Sequence, residues 1–130
     1  MELKEALDSN IMGAKLRDIL EEYRKDDLIE ICKLHGLSGF RKLLKKDLID
    51  FVYQNLLSKE VMCRCLMYVN DMEMELMDKE NTGVDECEEV LGLIECGYAG
   101  ATYLGEVYVP EDVKAAYNKN CDEEWIKERR

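Results

Sequence analysis

Apolar residues recur at helical spacing in the first part of the chain. Between about residues 14 and 24 they fall three and four positions apart, as on the buried face of an amphipathic helix (Leu16, Ile19, Leu20 and Tyr23). Residues 2–9 show a shorter version of the same pattern and predict a leading helix. In both segments charged residues occupy the other side of the helix, which predicts helices that pack one face against the rest of the protein.

Two further helices are predicted on either side of a glycine-containing loop. The first begins near Asp26, an acidic residue suited to the positive end of the helix dipole, and Gly36 is expected to end it in a left-handed conformation. Residues 37–44 predict an extended loop. The second helix is predicted over residues 45–57, and its apolar side is expected to consist of Leu44, Leu48, Phe51, Val52 and Leu56.

The second part of the chain predicts three helices in succession. Ser58 is a good N-cap for a helix over residues 59–69, and Asn70 or Asp71 caps another that reaches about residue 79. Asp85 is expected to open a third helix, which runs to about Cys96 and stops at Gly97.

A β-hairpin is predicted after these helices. Residues 98–104 and 106–109 are rich in β-formers and meet near Gly105. Pro110 suits the first turn of a short helix, and residues 122–130 predict a last helix around Trp125. Three helices followed by a hairpin is the order of a winged-helix domain, which we predict for residues 60–118.

The expected fold class is therefore mainly α, with one β-hairpin near residues 99–109. We predict a helical module over residues 1–58 and an acidic, winged-helix-like helical domain over residues 59–130.

The helix–loop–helix segment carries a family resemblance. Its pattern consists of Asp27-Leu28-Ile29, Gly36-Leu37, Leu44, Lys46-Asp47-Leu48-Ile49, Phe51 and Val52. This segment, about a quarter of the chain, resembles the N-terminal domain of the transcription terminator Rho, a module related in plan to the SAP motif. The resemblance implies a non-catalytic bacterial protein associated with transcription or nucleic acid. Rho continues into an RNA-binding OB-fold and an ATPase, and neither the phosphate-binding loop nor the aromatic β-rich stretch is found here.

Charge is unevenly distributed along the chain. The net charge is −11, of which residues 1–60 contribute −1 and residues 61–130 contribute −10. Apolar residues make up 47% and charged residues 36% of the sequence, as in a folded soluble protein. No apolar run reaches the roughly 20 residues of a membrane helix, and the first residues lack the pattern of a signal peptide. We therefore expect a cytoplasmic protein without a membrane partner.

A basic cluster follows the first helix of the Rho-like segment. It consists of Lys33, Arg41, Lys42, Lys45 and Lys46, and no acidic residue lies between its first and last members. Such cations, some at a helix N-terminus, suit phosphate groups, so they are the candidate nucleic-acid-binding residues. The alternative is a solvated loop that contacts nothing.

The charge of residues 61–130, which we call the acidic half, indicates a different kind of partner. The helix expected to begin at Asp85 would occupy the recognition-helix position of a winged-helix domain, but it carries acidic residues and no lysine or arginine. Phosphates would repel it, so we expect it to bind a basic protein or to pack. The acidic run over residues 71–80 predicts a solvated helix face, since the spacing of a calcium loop is missing. Five methionines nearby suit either a core or an adaptable binding groove (Met62, Met67, Met72, Met74 and Met77).

Six cysteines and one histidine provide little support for catalysis or metal binding. No pair of cysteines has the Cys-x-x-Cys spacing, and His35 is expected to pack at the end of its helix. We predict that the cysteines are reduced and act as small core residues. The sequence therefore predicts no metal site, no cofactor and no enzyme activity.

Overall fold

The structure is a computed structural model that describes residues 15–78, 84–85, 90–101 and 106–129. Within these residues it is mainly helical, with one small sheet. The helices are α1 (Leu16–Glu22), α2 (Lys25–Leu34), α3 (Lys45–Leu56), α4 (Lys59–Leu66), α5 (Asp71–Asp78), α6 (Leu91–Glu95), α7 (Glu111–Asn120) and α8 (Glu123–Arg129), and the strands are β1 (Val84–Asp85), β2 (Gly100–Ala101) and β3 (Glu106–Tyr108). The leading helix predicted for residues 2–9 lies outside the described residues.

The helix–loop–helix segment forms as its sequence predicts. Gly36 has a φ of +69° and follows the end of α2, where the Leu37 amide donates a hydrogen bond to the Cys32 carbonyl at 2.9 Å. This is the bonding of a glycine-terminated helix. Leu44 is the exception to the predicted apolar face, because it occupies the N-cap of α3 and is 72% exposed. The predicted burial of Leu44 is therefore wrong.

The described part of the sheet has three antiparallel strands in the order β1-β3-β2. Gly100 pairs with Tyr108, and Val84 pairs with Val107 on the other side of β3. The antiparallel pairing of β2 with β3 confirms the predicted hairpin, although its connection lies outside the described residues.

The predicted helix does not begin at Asp85. Asp85 lies in β1, where it pairs with Glu106, so it does not cap a helix. Helix α6 begins only at Leu91, and it ends before Gly97, whose φ is +91°, as predicted. Because Asp85 is paired with β3, the prediction of a helix that begins at this residue is wrong.

Ser58 caps α4 as predicted. Its hydroxyl oxygen accepts a hydrogen bond from the Val61 amide at 3.4 Å and donates one to the Asn55 carbonyl at 2.7 Å. The hydroxyl therefore links the end of α3 to the start of α4.

Replacing this cap should destabilise the protein measurably. We expect Ser58→Ala to lower the free energy of unfolding by about 1 kcal/mol, because the substitution removes both hydrogen bonds of the hydroxyl. Urea denaturation followed by circular dichroism would measure the change. Ser58→Asp, which keeps an acceptor at the N-cap, should restore most of the loss, and equal stability of wild type and Ser58→Ala would contradict the capping role.

The two halves of the chain share one hydrophobic core, which includes residues from α1 to α7. The Tyr98 hydroxyl donates a hydrogen bond to the Leu56 carbonyl at 2.7 Å, and the Leu16 amide donates one to the Asp112 carboxylate at 3.0 Å. These bonds join the first three helices to the segments after α6. A division into two domains at residue 58 stays a prediction.

None of the helices in the described ranges combines the length and the apolar character needed to cross a membrane.

Candidate functional site

Three of the five predicted cations line one surface depression. Lys33, Arg41 and Lys42 surround it together with the loop residues from Gly36 to Phe40, and its volume is about 640 Å³. All three cations are exposed. We call this feature the basic depression. It exists because the turn at Gly36 brings the loop back beside the last turn of α2, which carries Lys33.

The basic side chains of the depression are only weakly held by the protein. Lys33 Nζ lies 3.5 Å from Glu30 Oε1, an exposed ion pair of the kind that contributes little stability. The Arg41 guanidinium lies over the Phe40 ring, with its central carbon 5.4 Å from the ring centroid. An anion can therefore recruit these groups at a small cost in lost contacts.

Lys45 and Lys46 lie in the first turn of α3 and do not line the depression. Lys45 Nζ donates a hydrogen bond to the Glu21 carbonyl at 3.2 Å, which directs this side chain toward the end of α1. The N-cap residue of α3, Leu44, has no polar side chain with which to cap the amides of the first turn. The α3 N-terminus is thus a second, neighbouring source of positive potential.

A second site brings together the single histidine and two cysteines. Suitable ligand atoms of His35, Cys65 and Cys96 all lie within 4.8 Å of one another, and the two Sγ atoms are 3.0 Å apart. We call this group the thiol–imidazole cluster. His35 is only 6% exposed, Cys96 is buried and Cys65 is half-buried.

Backbone contacts hold the imidazole of the cluster in place. His35 Nε2 lies 2.8 Å from the Cys96 carbonyl oxygen. A carbonyl can only accept, so Nε2 carries the proton and donates. The Arg64 guanidinium donates a hydrogen bond to the His35 carbonyl at 2.8 Å, and the Tyr98 ring packs edge-on against the imidazole.

The environment shifts the pKa values of the two thiols in opposite directions. The hydrogen bond that Cys65 donates to Cys96 raises the pKa of Cys65, and burial raises it further. The same bond lowers the pKa of Cys96, because it stabilises the Cys96 thiolate. Burial lowers the pKa of His35, which favours the neutral imidazole. Cys96 is therefore the first of the pair to lose its proton.

A cavity of about 300 Å³ opens beside the thiol–imidazole cluster. Besides the three cluster residues, it is lined by Tyr68, Glu73 and Glu95, among others. The cluster is thus accessible to small solutes even though its members are largely buried.

The other described cysteines form no such cluster with histidine. Cys63 lies on the same helix as Cys65, α4, but on a different face. Its Sγ lies 3.6 Å from Cys121 Sγ, so these two residues form a second thiol pair. Cys32 is fully buried in the core, as predicted for a small apolar residue, and burial raises its pKa.

Glu73 differs from its predicted position on a solvated face. It is 4% exposed, and its carboxylate accepts hydrogen bonds from the Asn70 amide at 3.1 Å and the Leu93 amide at 2.6 Å. The Asn70 side chain in turn accepts a bond from the Glu73 amide at 2.8 Å, so the two residues form a capping box at the start of α5. The prediction of a solvated face is wrong for Glu73.

Comparison of the chain with protein-family models, with curated proteins and with solved structures found no match. Its function is therefore inferred from its own residues and their arrangement.

Proposed function

We propose that this chain is a non-catalytic protein that binds the phosphate backbone of nucleic acid at the basic depression. The observation that carries this proposal is the convergence of Lys33, Arg41 and Lys42 on one depression. The chain has a net charge of −11, so most of its surface is expected to repel a polyanion. A local cluster of exposed cations without acidic residues between them can attract and bind phosphate groups.

Phosphate contacts of this kind give affinity without sequence selectivity, because each phosphate presents the same oxygens. The neighbouring α3 N-terminus extends the positive surface through Lys45 and Lys46 and through its backbone amides. A single strand suits the site better than a rigid duplex, since a flexible backbone can enter the depression while its remainder stays clear of the acidic half.

The finer description of the fold is part of the same proposal. We infer that residues 1–58 form a module like the N-terminal domain of Rho. This inference is supported by the order of its elements: α2, which ends at a glycine, then a loop, then α3. For residues 59–130, the strand order β1-β3-β2 supports a winged-helix-like arrangement. In such an arrangement α6 would be the recognition helix, and it carries an acidic residue, Glu95, but no basic one. DNA reading by that helix is therefore not proposed.

The proposal predicts a binding loss that depends on which cations are removed. The triple variant Lys33→Gln/Arg41→Gln/Lys42→Gln should bind a fluorescent single-stranded oligonucleotide at least about tenfold more weakly at low salt. Each phosphate contact contributes about 0.7 to the slope of log affinity against log salt concentration. The slope should thus become shallower by about 2. Fluorescence anisotropy with the full chain measures both quantities.

A matched control separates this site from general charge effects. Lys59→Gln/Lys119→Gln/Lys127→Gln changes the net charge by the same amount, but these three exposed lysines do not line the depression. It should retain wild-type affinity. Equal weakening in both triple variants, or no binding by the wild type at low salt, would overturn the proposal.

A second candidate function is the binding of a basic protein by the acidic half. Met67, Tyr68 and Met72 are exposed within six residues of one another, Tyr68 at 88%, and exposed apolar side chains that occur as a group are typical of protein-binding surfaces. Met62, Met74 and Met77 are buried, so the methionines divide between core and surface. A partner that stays bound after nuclease treatment and is lost in Tyr68→Ser/Met72→Gln would favour this function, whereas a nuclease-sensitive complex would favour the first.

A further inference from the structure

We propose that His35, Cys65 and Cys96 form a binding site for Zn²⁺. Thiolate and imidazole are the ligands that zinc prefers in proteins, and two sulfurs with one nitrogen is a known protein ligand set for this ion. The proposal is independent of the basic depression, because it involves different residues and a different ligand.

The positions of the three groups are close to those that a zinc ion requires. Zinc–sulfur bonds of about 2.3 Å in a tetrahedral site place two thiolates roughly 3.8 Å apart. The two Sγ atoms now lie 3.0 Å apart, so they need to separate by less than about 1 Å, which small side-chain rotations provide. One of the two ring nitrogens of His35 already lies within 4.8 Å of both sulfurs.

The charge of the complex suits a buried place. Two thiolates neutralise the charge of Zn²⁺, and a neutral imidazole leaves it unchanged, so the loaded site carries no net charge. The short hydrogen bond between the thiols shows that both already point to the same spot. Zn²⁺ would bind between the two sulfurs in place of both thiol protons.

Contacts around the ligands favour a fixed geometry. Metal-bound histidines usually donate their second ring N–H to a carbonyl or carboxylate. Coordination through His35 Nδ1 would leave the Nε2 bond to the Cys96 carbonyl intact. The adjoining cavity gives room for a water molecule as a fourth ligand, which leaves the loaded site without net charge.

The site would also join three separate parts of the fold. His35 follows α2, Cys65 lies in α4 and Cys96 follows α6. An ion that bridges them binds the folded chain better than the unfolded chain, so zinc should raise the midpoint of thermal unfolding.

The experiment uses the full chain, kept reduced with a phosphine, and titrates it with Zn²⁺ against a chromophoric chelator. We expect one zinc per chain and the release of about two protons as both thiols deprotonate. Replacement by Co²⁺ should give a thiolate-to-metal charge-transfer band whose intensity corresponds to two sulfur ligands, with the visible bands of a tetrahedral site. Because this spectrum is recorded on the wild type, it tests the ligand set even if a variant fails to fold.

Variants assign the ligands. Cys65→Ser and Cys96→Ser should each abolish stoichiometric binding, and His35→Gln should weaken it by at least about tenfold. The matched controls are Cys63→Ser and Cys121→Ser, which remove the neighbouring thiol pair and should leave one zinc per chain. A wild-type chain that binds no zinc when reduced would overturn the proposal. It would also be overturned if Cys63→Ser or Cys121→Ser abolished zinc binding while Cys65→Ser and Cys96→Ser retained it.

The same two sulfurs could instead form a disulfide if an oxidant removed two electrons and two protons. A Cys65–Cys96 disulfide that persists in the presence of the phosphine and excludes zinc would therefore count against the metal site. Peptide mapping by mass spectrometry after alkylation detects it.

Discussion

Leu48→Ala should lower the free energy of unfolding by about 3 to 4 kcal/mol. Leu48 is 0% exposed and lies in α3, the helix that packs against both α1 and α2. Truncation removes three buried carbon atoms and leaves a cavity that rigid helix backbones fill only in part, and buried leucines of this kind cost about 2 to 5 kcal/mol. Urea denaturation of the full chain measures the effect, and the denaturant slope should stay constant.

Leu44→Ala provides the matched control, because it makes the same chemical change four residues earlier at an exposed position. Its effect should remain within about 0.5 kcal/mol of wild type. If the two variants unfolded at the same urea concentration, the assignment of Leu48 to the core and Leu44 to the surface would be incorrect.

Glu73→Gln should lower the free energy of unfolding by about 2 to 3 kcal/mol, although it changes only one atom of the side chain. The carboxylate accepts from the Asn70 and Leu93 amides, one with each oxygen. A glutamine has only one acceptor oxygen, so one of these amides would face the NH₂ group and lose its bond to a charged partner. Thermal and urea unfolding followed by circular dichroism would detect the loss.

Asp78→Asn is the control for this substitution, since it removes an exposed carboxylate from the same helix. It should change the stability by no more than about 0.5 kcal/mol in either direction. A comparable loss in Asp78→Asn would mean that helix charge in general, and not the two buried hydrogen bonds, accounts for the effect of Glu73.

The helices of the first part of the chain were predictable because their signals are local. The apolar stripe of α1, the glycine after α2 and the serine before α4 each lie within a few residues of the feature they determine. Gly36, Ser58 and Gly97 all act as predicted. By contrast, the prediction for Asp85 is wrong because a distant strand, β3, pairs with it. The prediction for Leu44 is wrong for a local reason: it is the N-cap of α3, where the backbone is extended, so its side chain does not share the apolar face of the helix.

The two candidate sites also differ in how much of each could be predicted from nearby residues. The basic residues are visible in the sequence as one cluster, but only the turn of the loop decides that Lys33 joins Arg41 and Lys42, while Lys45 points toward α1. The thiol–imidazole cluster gives no signal in the sequence. Its members are about 30 residues apart and follow no ligand spacing, so only the packing of α2, α4 and α6 brings them together.

The carboxylate of Asp112 has a consequence for the order of events during biosynthesis. It accepts the Leu16 amide hydrogen, yet it lies 96 residues further along the chain. When the N-terminal helices leave the ribosome, this acceptor has not been made, so the first amide of α1 depends on water until α7 arrives. The hydrogen bond that completes the start of α1 can therefore form only after α7 has been synthesised, even though α3, against which α1 packs, is made much earlier.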